Sequence, residues 1–118
     1  MSTLLFLYIG GGLLLSALSI PLILGKIPPN GLYGFRVTQT LDNPDLWYPV
    51  NTYAGWRLLA AGLGTILAAL ILYFIPGITL DAFALACMCV FFLMLGIGLG
   101  QSLLFLKRLA KKETNKEE

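Results

Sequence analysis

Three long stretches without charged residues decide what this chain can fold into. They cover residues 3–24, 56–75 (with Arg57 near its start) and 82–106. At helical rise the first is about 33 Å long, which matches a hydrocarbon core of about 30 Å. The composition agrees, because 58% of the 118 residues are hydrophobic and only 12% are charged. We therefore predict an all-α integral membrane protein, a single membrane domain with three transmembrane helices.

The flanks of these stretches support the same three spans. The second stretch stops at Pro76-Gly77, a pair that terminates helices, and the third stops at Lys107, where a basic tail over residues 107–118 begins. No Lys or Arg precedes the first stretch, and its apolar run exceeds the roughly 7 to 15 residues of a signal-peptide core. We expect it to stay in the mature protein, with cleavage near the small residues 16–19 as the alternative.

The basic residues predict the orientation. All eight fall on one side of a three-span topology, because three flank or lie in the segment between the first two spans and five follow the third. Short loops rich in Lys and Arg stay on the cytoplasmic side of a membrane. We therefore place the N-terminus outside, and the first loop and the C-terminal tail in the cytoplasm. The net charge of +2 reflects this topology and gives no indication of nucleic-acid binding.

A polar, aromatic and turn-rich segment over residues 25–55, here named the polar loop, separates the first two spans. It is much longer than the few residues that usually connect two helices, so we expect it to be structured and partly helical. Asn43 followed by Pro44 predicts a helix start with Asn43 as its cap. We expect a short interfacial helix there, kinked or divided at Pro49. Aromatic residues expected at headgroup level are Trp47, Tyr48, Tyr53 and Trp56.

Arg36 is the most distinctive residue of the polar loop, because a guanidinium group offers a planar fork of donors suited to carboxylate or phosphate. Asp42 and Asp45 are the only acids in the loop, and either would form a clamp that fastens the loop to itself. The alternative partners are an anionic lipid headgroup and a bound peptide.

The sequence lacks the residues on which most enzymes and metal sites depend. It has no histidine, no Gly-x-Ser-x-Gly and no phosphate-binding glycine loop. Cys87 and Cys89 are two residues apart, so on one helix they point away from each other and fit a packing role. We therefore expect no enzymatic activity, no cofactor and no metal ion.

Small residues recur along all three spans. Gly96 and Gly100, for example, have the small-x-x-x-small spacing that lets two helices approach closely. Packing within one three-helix subunit explains this spacing, and a homo-oligomer seam is the alternative. We predict no ionisable residue at membrane depth, which disfavours a proton-coupled transporter.

The polar loop also resembles the signature of a known family. The pattern joins a Pro-Asn turn, a Gly-Phe-Arg tripeptide, a following Thr and a Trp-x-x-x-Asn. It consists of Ile27-Pro28-Pro29-Asn30, Tyr33-Gly34-Phe35-Arg36, Thr38, Thr40, Asp45, Trp47 and Asn51. In these residues the chain is similar to the SdpI family of bacterial membrane proteins. The family's namesake resembles two three-span halves, and this chain corresponds to the second half alone.

The resemblance implies a place in the bacterial plasma membrane and a role in immunity or signalling. The namesake confers immunity on cells that make a secreted toxic peptide, and it relays the presence of the toxin to a cytoplasmic repressor. We take as candidate binding residues Asn30, Gly34, Arg36, Thr40, Asp45, Trp47 and Asn51.

Two classes of function follow. The first is a protection module that intercepts a membrane-active peptide, or reports it to a cytoplasmic regulator, with the polar loop and the tail facing the partner. The alternative is an oligomeric membrane component that binds lipid or solute, in which Arg36 holds an anionic headgroup.

Overall fold

The protein is built from helices. The computed structural model describes residues 1–30, 34 and 38–117, without the side chains of residues 38, 39, 116 and 117. Within these residues the helices are α1 (Ser2–Ile23), α2 (Thr38–Leu41), α3 (Pro44–Tyr73) and α4 (Leu80–Glu117). The three long helices reach mean hydropathies of 2.0, 1.8 and 2.5, and each is long enough to cross a membrane. The predicted all-α, three-span membrane protein is confirmed.

α3 is the central helix. It packs against α1 on one side and against α4 on the other, in an elongated molecule of 62 × 22 × 19 Å. α1 and α4 also meet at the end that lies away from the polar loop. There the Tyr8 hydroxyl donates to the Ala84 carbonyl oxygen at 2.9 Å, and the Tyr8 ring packs edge-on against Phe83. Further towards the polar loop, a cleft separates α1 from α4.

α3 starts where the sequence predicts a helix start, but it is one continuous helix where the sequence predicts a kink or a division. Asn43 is extended (φ −140°) and its side chain accepts from the Asp45 backbone N–H at 3.0 Å, so the predicted cap is confirmed. The prediction that Pro49 divides a short interfacial helix from the span is wrong, because α3 continues through Pro49 to Tyr73. Pro49 lacks one backbone donor in an early turn, and buried packing of Leu46 and Val50 in the same turns holds the helix together.

α4 extends far beyond one membrane crossing. Its 38 residues correspond to about 57 Å at helical rise. Past the membrane-length part, Leu106 packs against Leu46 and Val50 of α3, with Leu109 beside them. The beginning of the basic tail is therefore a folded part of the helix, attached to the first turns of α3.

Glycines bring α1 and α3 into close contact. A Cβ atom at Gly12 would lie 2.6 Å from the Gly62 carbonyl oxygen, and one at Gly62 would lie 2.6 Å from the Gly12 carbonyl oxygen. These two small residues thus serve packing within the subunit. Gly96 and Gly100 differ, because a Cβ atom at either position would meet nothing within 4 Å among the described atoms.

The polar side chains of the spans are mostly satisfied within their own helices. The hydroxyl groups donate to backbone carbonyls three or four residues earlier, at 2.6 to 2.8 Å. The residues concerned are Ser16, Ser19, Thr65 and Ser102. The hydrogens of these hydroxyl groups are therefore engaged by the helix backbone.

We expect Gly12→Ala to destabilise the protein and Gly11→Ala to be harmless. The added methyl group at Gly12 would overlap a backbone oxygen of α3, and overpacking of this kind costs about 1–3 kcal/mol of unfolding free energy. The neighbouring Gly11 has nothing within 4 Å of its Cβ position, so it is the matched control. Unfolding of both variants in mixed detergent micelles measures the difference, and equal stability would contradict the close approach.

Candidate functional site

Trp47 joins the first residues of the polar loop to the last part of that loop, which forms the beginning of α3. Its side chain is fully buried, and its indole Nε1 donates to the Ile27 carbonyl oxygen at 2.7 Å. Ile27 lies just after the end of α1, so this bond ties the exit of the first span to the first turns of the next membrane helix. A buried indole N–H requires an acceptor, and the loop backbone supplies it. The ring lies in the interior of the protein, and the expectation that it lies at headgroup level stays a prediction.

Gly34 lies against the same part of α3. Its φ of +109° is in the region that favours glycine. A Cβ atom there would lie 2.7 Å from Asn51 Oδ1 and 3.3 Å from the Trp47 ring. Asn51 is itself buried, and its Nδ2 donates to the Trp47 carbonyl oxygen at 3.0 Å. We name this group, Ile27 with Gly34, Trp47 and Asn51, the loop anchor.

The remaining candidate residues fall in different surroundings. Asn30 Nδ2 donates to the Pro28 carbonyl oxygen at 2.8 Å, which closes a local turn. Thr40 is fully buried in α2. Asp45 is exposed in the first turn of α3. Arg36 lies outside the described residues, so its pairing with Asp42 or Asp45 stays a prediction.

The candidate residues therefore divide by exposure. The structure brings Gly34, Trp47 and Asn51 together in a buried, hydrogen-bonded group that holds the polar loop on α3. Asp45 lies on the surface of the same end of the molecule. Buried residues of this kind fix the shape of a protein surface, whereas exposed residues are the ones that can contact a binding partner.

A cleft of about 320 Å³ opens next to the loop anchor, between α1 and α4, with α3 as its floor. Leu18 and Leu22 line it from α1, and Leu95 and Leu99 line it from α4. Gly34 also borders the cleft, so the polar loop forms part of its wall. The cleft is apolar, and the leucines that line it belong to helices long enough to cross a membrane.

Arg57 is the charged residue in the cleft lining, and the sequence analysis did not identify it as a site residue. It donates from Nη1 to Gln101 Oε1 at 3.2 Å, and its guanidinium carbon lies 5.3 Å from the centre of the Tyr53 ring. Its stem packs closely against Gly98. Its Nε is buried and has no hydrogen-bond partner among the described residues.

Arg57 is packed against α4, and the expectation that no ionisable residue lies at membrane depth stays a prediction. In the sequence, Arg57 is next to the predicted start of the second span and resembles a charge at its edge. In the structure it is in the fourth turn of α3, between two membrane helices. Gln101 was the available signal, because a polar residue near the end of the third span calls for a partner at the same level.

One protein family matches this chain. The model of the SdpI/YfhL protein family covers residues 26–104, which include the polar loop from Lys26 onward, all of α3 and α4 as far as the cleft. No curated protein gives a significant match, and no solved structure does.

We expect Gly34→Ala to be more harmful than Gly25→Ala. Both glycines have positive φ, at +109° and +70°, and alanine in that region costs about 1–2 kcal/mol. Only Gly34 has a neighbour in the way, so its alanine variant should lose about 1–3 kcal/mol more of unfolding free energy. The measurement is thermal unfolding in detergent micelles. Equal losses would show that close approach to Asn51 and Trp47 does not constrain this position.

Proposed function

This chain belongs to the SdpI/YfhL protein family, and from that premise we propose that it binds or counters a membrane-active peptide in the manner of an immunity or signalling protein. The observation that carries the proposal is the loop anchor. It holds the polar loop in one arrangement on α3 through the hydrogen bond from Trp47 to Ile27 and the close approach of Gly34 to Asn51. A surface fixed before binding loses little conformational entropy when a partner arrives.

The proposed contact surface is acidic at the start of α3. Asp42 and Asp45 are both exposed, and the Asn43 cap between them sets the direction of the first helical turn. Peptides that act at membrane surfaces usually carry Lys and Arg on their polar face. At these two carboxylates, charge complementarity therefore favours basic residues of an amphipathic peptide, which would reach this surface after entering the bilayer.

We place this surface on the cytoplasmic side of a bacterial plasma membrane. All eight basic residues lie at the polar-loop end of the three-span topology, and basic residues are retained in the cytoplasm. The last turns of α4 project from the same end and carry exposed Lys111 and Lys112. That arrangement suits a second contact, with a cytoplasmic regulator, by which the protein would report the peptide.

We further propose that the protein acts by binding and not by catalysis. The polar groups of the loop anchor are engaged in holding the loop, since Trp47 Nε1 donates to Ile27 and Asn51 Nδ2 donates to Trp47. Groups held in this way build a surface and do not supply an acid, a base or a nucleophile to a substrate.

Survival of cells exposed to a panel of cationic antimicrobial peptides tests the proposal. Cells that carry the wild type should survive better than cells without it. Asp45→Asn should lower that protection about two- to fivefold, as expected for the loss of one exposed ion pair.

Asp81→Asn is the matched control. Asp81 is also exposed and in the first turn of a helix, but at the opposite end of the molecule. Both variants lose the same favourable interaction with a helix dipole. At equal membrane abundance, protection by Asp81→Asn should equal that of the wild type. The proposal is contradicted if cells that carry the wild type die as fast as cells that lack the protein, across the whole panel.

A further inference from the structure

Arg57 has hydrogen-bonding capacity that the described residues leave unused. A guanidinium group has five N–H donors, and one of those of Arg57 is directed to Gln101 Oε1 at 3.2 Å. Its buried Nε meets no acceptor, and no described carboxylate forms an ion pair with it. A charged donor taken out of water without an acceptor is unfavourable. The two Nη groups, for which Gln101 is the hydrogen-bond partner among the described residues, still have donors that an anionic acceptor from outside the described chain could receive.

The depth of Arg57 indicates where that acceptor lies. α1 ends at Ile23, which packs against Gly55, and Thr52 donates to the Leu22 carbonyl oxygen at 3.3 Å. Arg57 is two to five residues deeper than these α3 positions, about 3 to 8 Å at helical rise. Its guanidinium reaches back towards the boundary. A long basic side chain of this kind places its charge near the lipid phosphates while its stem stays in the apolar layer.

The direction of the side chain is given by its contacts. Its stem packs on Gly98, whereas its guanidinium meets Gln101, three residues further towards the polar-loop end of α4. Tyr53, which lies under the guanidinium, is also displaced towards that end of α3. The charge of Arg57 is thus nearer to the membrane boundary than its backbone is.

The walls of the cleft suit a hydrocarbon chain better than a peptide. They are formed by leucines of α1 and α4, and Leu18 and Leu99 remain 41% and 54% exposed, which opens the cleft sideways to the bilayer. The Ser102 hydroxyl in the lining donates to its own helix, at the Gly98 carbonyl oxygen. A peptide backbone in the cleft would bring N–H and C=O groups that need partners, and an acyl chain brings none.

A second arginine, Arg108, lies on α4, seven residues beyond the Gln101 that contacts Arg57. Arg108 borders a smaller cavity of about 270 Å³ together with Tyr53 and Gln101. Gln101 therefore stands between a cavity that contains Arg57 and one that contains Arg108. A headgroup that projects from Arg57 towards the aqueous phase would meet further positive charge there, which favours a lipid with net negative charge.

From these observations we propose that the cleft holds one anionic phospholipid of the leaflet at the polar-loop end. Its phosphate accepts hydrogen bonds from the Arg57 guanidinium, and an acyl chain lies along Leu18, Leu22, Leu95 and Leu99. The lipid completes the wall between α1 and α4 next to Gly34. This site is separate from the peptide-binding surface proposed above, and it does not depend on it.

Native mass spectrometry tests the site directly. Protein released from micelles that contain equal amounts of phosphatidylglycerol and phosphatidylcholine should retain one phosphatidylglycerol. Arg57→Gln should lower the lipid-bound fraction about tenfold, because a charged hydrogen-bonded contact is lost. Arg57→Lys keeps the charge without the planar fork and should retain part of the binding.

Lys112→Gln is the control, since it removes an equal charge from an exposed position beyond the cleft and should bind lipid as the wild type does. The wild type alone gives a second measurement that is independent of whether a variant folds. Phosphatidylglycerol should raise its unfolding temperature more than phosphatidylcholine does. Excess inorganic phosphate should leave the bound lipid in place.

Three results would overturn the site. They are equal retention of phosphatidylglycerol by Arg57→Gln, absence of any preference for phosphatidylglycerol in the wild type, and complete displacement of the lipid by inorganic phosphate. Each would leave the survival assay untouched, because that assay reports on Asp45 and the polar-loop surface.

Discussion

The hydrogen bond from the Trp47 indole to the Ile27 carbonyl oxygen organises the polar-loop end of the molecule. It joins residues 20 positions apart, one just after the first span and one in the first turns of α3. The indole is fully buried, and Gly34 lies against its ring and against Asn51. The same packing requires α3 to be helical from Pro44 onward, well before its membrane-spanning part begins.

α3 therefore has two tasks along one continuous helix. Its first turns carry Trp47 and Asn51, which hold the polar loop, and about two turns later Arg57 enters the cleft between α1 and α4. Gly34 touches both regions, because it packs on Asn51 and also borders the cleft. An occupied cleft would consequently support the polar loop from the membrane side. Gly34 therefore lies between the proposed peptide-binding surface and the proposed lipid site.

Local features of this fold were readable from the sequence, and features set by tertiary packing were not. The three spans and the Asn43 cap depend on hydropathy and on neighbouring residues, so they were predicted correctly. The continuity of α3 was missed because packing around Leu46 and Val50 overrides the local effect of Pro49. The family resemblance singled out Gly34, Trp47 and Asn51, but no spacing rule shows that these residues touch.

Arg57 illustrates the same limit at the cleft. A cation one residue inside a predicted span looks like an ordinary boundary charge, and only the packing of α3 on α4 shows that its stem lies against Gly98. Its contact with Gln101 joins positions 44 residues apart. Such a pairing becomes visible when the register of two helices is known.

The measurement closest to the central claim is hydrogen exchange of the backbone amides in residues 24–34, compared between Trp47→Phe and Trp56→Phe. Phenylalanine at position 47 keeps an aromatic ring but removes the donor to Ile27, whereas Trp56 is half exposed. If the loop anchor holds the polar loop on α3, exchange should accelerate in Trp47→Phe and stay at the wild-type rate in Trp56→Phe. Equal exchange in both variants and the wild type would contradict it.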